Sequence, residues 1–194
     1  MPAEEPMYHD GSRRLQDRFD SRRIADRLEA VTVHTTFTDA DRALIEGARM
    51  FFLATADERG RPEVSYKGGD PGFVRVVAPD TLAFPHYDGN GMFRSLGNAL
   101  VNPDVQLLFV DFEDPDRLRV SGVASVDERD PLLPSFEGAQ LVIRVRATRI
   151  FPNCPRYIHR MRLVEPSKYV PRGPPPPVPQ WKEMDVFKDA LPRR

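Results

Sequence analysis

The sequence predicts a mainly β protein, an antiparallel sheet that closes or nearly closes and is flanked by helices. Three observations point there. Six or seven short apolar runs, near 51–56, 62–67, 73–78, 81–85, 105–112, 117–126 and 140–150, are separated by turn signals. The last alternates Leu141, Ile143, Val145 and Ala147 against Arg144, Arg146 and Thr148, giving one buried and one wet face. Neither a βαβ alternation nor an internal repeat is found, which argues against a doubly wound sheet.

The elements follow in order. Residues 12–31 place Leu15, Phe19, Leu28 and Val31 on or near one face, with Ile24 at its margin, among mostly charged positions. This is an amphipathic helix lying on another surface, with Ser12 as its cap. Thr38-Asp39-Ala40-Asp41 resembles a capping box and starts a second helix with Leu44, Ile45 and Ala48 on its apolar face. Phe51 to Ala56, a turn around Gly60, and Pro62 to Lys67 form a hairpin. Between two strands lies DGNGMFRSLGNALVNPDV, residues 88–105. Asp88-Gly89-Asn90-Gly91 is a turn, Asn102-Pro103 a terminator, and the middle holds about two helical turns carrying Arg94, Ser95 and Asn98.

After Glu165 the run Pro171 to Pro179 predicts polyproline II, and Trp181, Met184, Val186 and Phe187 offer anchors for the chain end. The simplest reading is a tail draped over the domain or over a second subunit; an SH3-type ligand is the alternative. The organisation expected is an N-terminal helical extension at 1–37, a sheet domain at 38–164 and a proline-rich tail at 165–194.

Lys and Arg total 28 against 29 Asp and Glu, a net charge of −1 that offers no broad attraction to nucleic acid or anionic membrane. The lone Cys154 forms no internal disulfide, and neither a signal-peptide region nor an apolar stretch approaching about 20 residues is present. The expectation is a soluble cytoplasmic protein.

Chemistry concentrates at 88–98. The first turn of a helix leaves amide N–H groups free and favours negative charge. Gly89 and Gly91 let backbone approach a ligand, Arg94 brings a planar fork, Ser95 a hydroxyl, and Lys67 a second cation. That describes a phosphate site, against the plainer reading of a surface turn with a solvated Arg94. The four histidines lack metal-ligand spacing, so no metal site is assigned. His86 is read as a rim histidine bonded to backbone, with contact to a ligand as the alternative, and Cys154 as buried and inert, with approach to a bound ligand as the alternative. Arg156, Tyr157, His159, Arg160 and Arg162 form a basic, aromatic patch, either a receiver of anions or a solvated face.

The order of FFLATADERGRPEVSYKGGDPGFVRV, DGNGMFRSLGNALVNPDVQLLFVDF and LRVSGVASV resembles the pyridoxamine 5′-phosphate oxidase-like, FMN-binding split-barrel family over about residues 45–150. YHDGSRRLQDRF and FPNCPRYIHR look like features of a bacterial subgroup of flavin-nucleotide-binding proteins. The resemblance implies a six-stranded antiparallel split β-barrel, a homodimer with FMN at the subunit interface, and oxidoreductase activity on an unknown small molecule. It places Asn90, Gly91, Arg94 and Ser95 at the FMN phosphate, Ser65, Tyr66 and Lys67 on the strand facing the flavin, and Thr55 and Ala56 near its ring system. The redox chemistry would belong to the flavin, so no catalytic residue is assigned. The C-terminus departs from the pyridoxamine phosphate oxidases, with only HRMRL and the proline-rich tail where they carry a basic substrate-binding segment. A flavin carrier or sensor without turnover, or a reductase using the deazaflavin F420, are the alternatives.

Overall fold

Alternating burial along the strands builds the sheet. In β1 (Met50–Ala56) Phe51, Leu53 and Thr55 are buried, and in β5 (Asp104–Asp111) Val105, Leu107 and Phe109. Side chains of one parity face the core and the others face outward. The computed structural model describes residues 6–192. The remaining strands are β2 (Pro62–Gly68), β3 (Arg75–Ala78), β4 (Thr81–Tyr87), β6 (Asp116–Asp127) and β7 (Ala139–Pro152). They form one antiparallel sheet in the order β2-β1-β5-β6-β7-β4-β3.

The fold is the split-barrel type, with a correction to its strand count. Seven strands form where the resemblance implied six, and the sheet does not close, leaving β2 and β3 as its edges. The chain between these edges turns rather than pairs. Gly69 N–H bonds to the Arg49 carbonyl and Gly72 N–H, at φ +86°, to that of Glu46. The loop is thereby tied to the end of α3 (Asp39–Gly47). β6 and β7 bulge at Ser121/Gly122, where a Cβ on Gly122 would lie 2.5 Å from the Arg146 carbonyl oxygen. The core is aromatic at its centre, with Phe51 ring centroids 5.0 Å from Phe84 and 5.1 Å from Phe109. Ile45 of α3 and Leu96 of α4 (Arg94–Val101) close it from the helix side.

Thr38 caps α3 through the capping box that its sequence predicts, its hydroxyl accepting from Asp41 N–H while the Asp41 carboxylate accepts from Thr38 N–H. The helix expected over 12–31 is instead two, α1 (Asp10–Arg18) and α2 (Arg22–Thr32). Asp20 takes a left-handed conformation, φ +49°, and Ser21 N–H closes back onto the Gln16 carbonyl at 2.8 Å, ending α1. The cap of α1 is His9, whose Nδ1 accepts from Gly11 N–H, while Ser12 lies inside the helix. Leu15, Phe19, Ile24, Leu28 and Val31 all remain exposed. No helix among the described residues is long and apolar enough to cross a membrane.

Candidate ligand-binding site

The alternation of β2 turns Glu63, Ser65 and Lys67 to one side of the strand and Val64 and Tyr66 to the other. Facing the first set are the end of β4, at His86 and Tyr87, and the first turn of α4. These elements enclose a cavity of about 750 Å³.

The entry to α4 is shaped locally. Asn90 Oδ1 accepts from Met92 N–H at 3.0 Å, Gly91 sits at φ +76°, and Phe93 enters the helix left-handed at φ +49°. A non-glycine residue in that region carries backbone strain, a feature common near binding sites. The first intrahelical bond comes from Gly97 N–H to the Phe93 carbonyl at 2.7 Å, so the preceding amides have no acceptor within the helix. Ser95, only 6% exposed, points inward and donates to Ser65 Oγ at 2.9 Å. One turn later Asn98 donates to Thr55 Oγ1 at 3.1 Å and to Glu63 Oε2 at 3.3 Å. Glu63 Oε1 in turn lies 3.4 Å from Arg94 Nε. Arg94 is thus steered by one nitrogen, and its two terminal nitrogens have no partner among the described residues.

Burial disfavours positive charge here. Lys67 is pulled below the usual lysine range by desolvation, which nearby Glu63 opposes, and no carboxylate among the described residues pairs with it directly. His86 is lowered by desolvation first and by the Lys67 charge second, against a smaller opposing pull from Asp88. An anion entering the cavity would favour the protonated form of both.

The far wall is the tail. Tyr169, Pro171, the prolines at 175–177 and 179, Trp181 and Lys182 line the cavity from residues 169–182. The Arg172 guanidinium grips the Asp70 carboxylate at 2.5 and 2.7 Å, and Lys182 Nζ meets Asp88 Oδ2 at 2.7 Å.

Of the residues singled out from the sequence, Ser65, Lys67, Asn90, Arg94 and Ser95 line this cavity. Gly91 shapes the turn without lining it. Tyr66 faces away, 63% exposed and edge-on to Phe52. Thr55 is buried beneath α4 and reaches the site through Asn98 and Glu63, and Ala56 pairs with Pro62 at the strand end. Cys154, expected to be buried, is exposed. Glu63, Tyr87 and Phe93 have no place in the site read from sequence, and the tail, expected to drape over the domain or a second subunit, has none there either. Only Glu63 had a signal, its period-two spacing with Ser65 and Lys67.

A model of the pyridoxamine 5′-phosphate oxidase family matches residues 37–154, more than half of the chain. The chain belongs to the pyridoxamine 5′-phosphate oxidase family. The matched segment carries the whole sheet and every one of these site residues except the tail's. No curated protein matches. Among solved structures, a pyridoxamine 5′-phosphate oxidase-like protein from Lactobacillus delbrueckii is similar at 23% identity and a TM-score of 0.50, over 61% of this chain and 95% of that one. HupZ of Group A Streptococcus follows at 21% and 0.49, over 60% and 93%. An FMN-binding protein from Syntrophomonas wolfei is similar at 16% and 0.44, over 73% and 97%. The first of these likenesses speaks to the fold alone, and the other two carry no argument.

Proposed function

We propose that this family member binds FMN in the cavity and acts as an oxidoreductase on a small molecule. The observation that carries the reading is the convergence of Lys67, Arg94 and the buried Ser95 on one cavity at the open first turn of α4. The donor set fits a phosphate dianion. Among the described residues no carboxylate pairs directly with Lys67 and no hydrogen bond engages the two terminal nitrogens of Arg94, while the leading amides of α4 have no intrahelical acceptor.

When bound, the flavin supplies the redox chemistry; the chain binds, orients and excludes water. Lys67, Arg94 and Ser95 hold the phosphate, with Asn90 and Gly91 setting the loop that brings α4 to it. Ser95 donates to Ser65 here, so it turns its proton to the phosphate as Ser65 becomes the donor to Ser95. Thr55 and Ala56, at the end of β1, are proposed to lie near the ring system. Tyr66 is proposed to face a second protomer across the exposed edge of β2, where Val64 is also exposed. This supports a homodimer with its cofactor at the interface, and the lone cysteine supports a reducing, cytoplasmic setting.

The test is direct. The purified protein should show the two-band visible absorption of an oxidised flavin, and mass spectrometry of the released chromophore should return FMN rather than F420. Arg94→Ala and Lys67→Ala should each weaken flavin binding by about 10- to 150-fold, the worth of one charge-assisted hydrogen bond. Unchanged flavin content in both variants would overturn the phosphate assignment. Failure of the photoreduced protein to pass electrons to any acceptor would leave a carrier or sensor.

A further inference from the structure

We propose that residues 169–182 form a strap that gates the cavity, pinned at both ends by ion pairs and lifted to admit or release ligand. Its first pin is Arg172 on Asp70, reinforced by Gly173 N–H donating to Glu137 Oε1 at 2.5 Å. Its second is Lys182 on Asp88, the residue that opens the turn leading to α4. Between the pins runs Pro174-Pro175-Pro176-Pro177-Val178-Pro179. Proline has no N–H to donate, so this run is laid across the cavity rather than stitched to the sheet.

The strap is stiff yet lightly held. Polyproline loses little conformational freedom when it docks, so a few contacts suffice to seat it. No residue from 152 to 192 is buried, in contrast to the fully buried core beneath. Both partners of the first pin are about 40% exposed and open to screening by salt, although its bidentate geometry strengthens it, while the second pairs the largely covered Lys182, 15% exposed, with the half-exposed Asp88. Since the strap forms one wall of the cavity, lifting it widens the space through which a ligand enters or leaves.

The strap stands on this geometry alone; only its effect on flavin exchange rests on the function proposed above. Trp181, the one tryptophan in the chain, lies in the strap and lines the cavity, so its fluorescence reports strap position without any ligand. In flavin-stripped full-length protein, the double variant Arg172→Ala/Lys182→Ala should make Trp181 more accessible to acrylamide, and high salt should move the wild type the same way. Circular dichroism checks that the fold is retained. With FMN as probe, release from the double variant should be about tenfold faster, the equivalent of about 1.4 kcal/mol for the pins together. Equal Trp181 quenching in both proteins at both salt concentrations, or equal FMN release rates, would overturn the gate. If neither protein binds FMN, the flavin reading falls, while the Trp181 comparison still decides whether the strap lifts.

Discussion

Ser95 Oγ donates to Ser65 Oγ across 2.9 Å, joining residues thirty apart in sequence and tying the first turn of α4 to the middle of β2. Ser95 is buried, while its partner Ser65 is half-buried and lines the cavity, so only the ordinary worth of one hydrogen bond is lost with the hydroxyl. Ser95→Ala should cost about 1 kcal/mol, lowering the melting temperature by about 2–4 °C in a chain of this size. A double-mutant cycle with Ser65→Ala checks the tie, with a coupling of about 0.5–1.5 kcal/mol expected. A coupling indistinguishable from zero would mean the two hydroxyls act independently.

His86 makes stability fall in mild acid. Burial and then the Lys67 charge hold its folded pKa below the ordinary value of 6.5. As pH drops below that ordinary value, the unfolded chain takes up a proton before the folded one does, so the unfolded state gains. Asp70 and Asp130 have carboxyls held below their ordinary value of 3.8 by the guanidiniums of Arg172 and Arg144, so their stabilisation persists through this window and is lost only in stronger acid. Urea denaturation from pH 7 down to pH 5 should therefore show a smaller loss in His86→Asn than in the wild type. An anion in the cavity should raise the His86 pKa, which NMR titration in phosphate would detect.

Local chemistry explains which parts of this protein are readable from sequence. The capping box at Thr38 and Asp41 depends on neighbours a few residues apart and appears as written, while the alternation of β7 holds at Ile143, Val145 and Ala147 but is broken by Val142, buried on the opposite face with Ala83 and Phe136. The break at Asp20 does not, because apolar spacing continues across two residues that merely change direction. Tyr66 illustrates the opposite error. The resemblance places the continuous triplet Ser65 to Lys67 at one site, yet a strand sends its middle residue to the other face. Glu63 acquires its partners Thr55, Arg94 and Asn98 only once β2 has paired with β1 and α4 has docked. The tail's path is set by Asp70, Asp88 and Glu137, and polyproline has no burial periodicity from which to infer it.

Two glycines separate packing from propensity. At the β6–β7 bulge, a Cβ on Gly122 would meet the Arg146 carbonyl oxygen at 2.5 Å and Val145 Cγ1 at 2.7 Å. The carbonyl belongs to a paired strand and has little room to yield, so Gly122→Ala should destabilise by about 1–3 kcal/mol. Gly97, exposed within α4, has nothing within 4 Å of its Cβ position. Gly97→Ala should instead stabilise by about 0.5–1 kcal/mol through helix propensity. Chemical denaturation of both variants checks the pair, and destabilisation by Gly97→Ala would show that α4 needs its glycine for a contact outside this chain.

Glu63 sets how strongly the cavity holds an anion, and two opposed effects of Glu63→Gln can be ranked. The substitution weakens the steering of Arg94, but that ion pair spans 3.4 Å with the Arg94 side chain 63% exposed. A pair so solvated contributes about 0.2–1 kcal/mol. Against this, removing a carboxylate from the cavity wall relieves repulsion with a bound dianion. Two unit charges 6–8 Å apart interact by about 2–3 kcal/mol at an effective dielectric constant of 20. Relief outweighs lost steering, so Glu63→Gln should bind FMN or inorganic phosphate more tightly, by roughly tenfold after solvent screening. Calorimetric titration of both ligands measures it. Weaker binding of both would show that Arg94 depends on Glu63 for its position, and that steering rather than net charge governs the site.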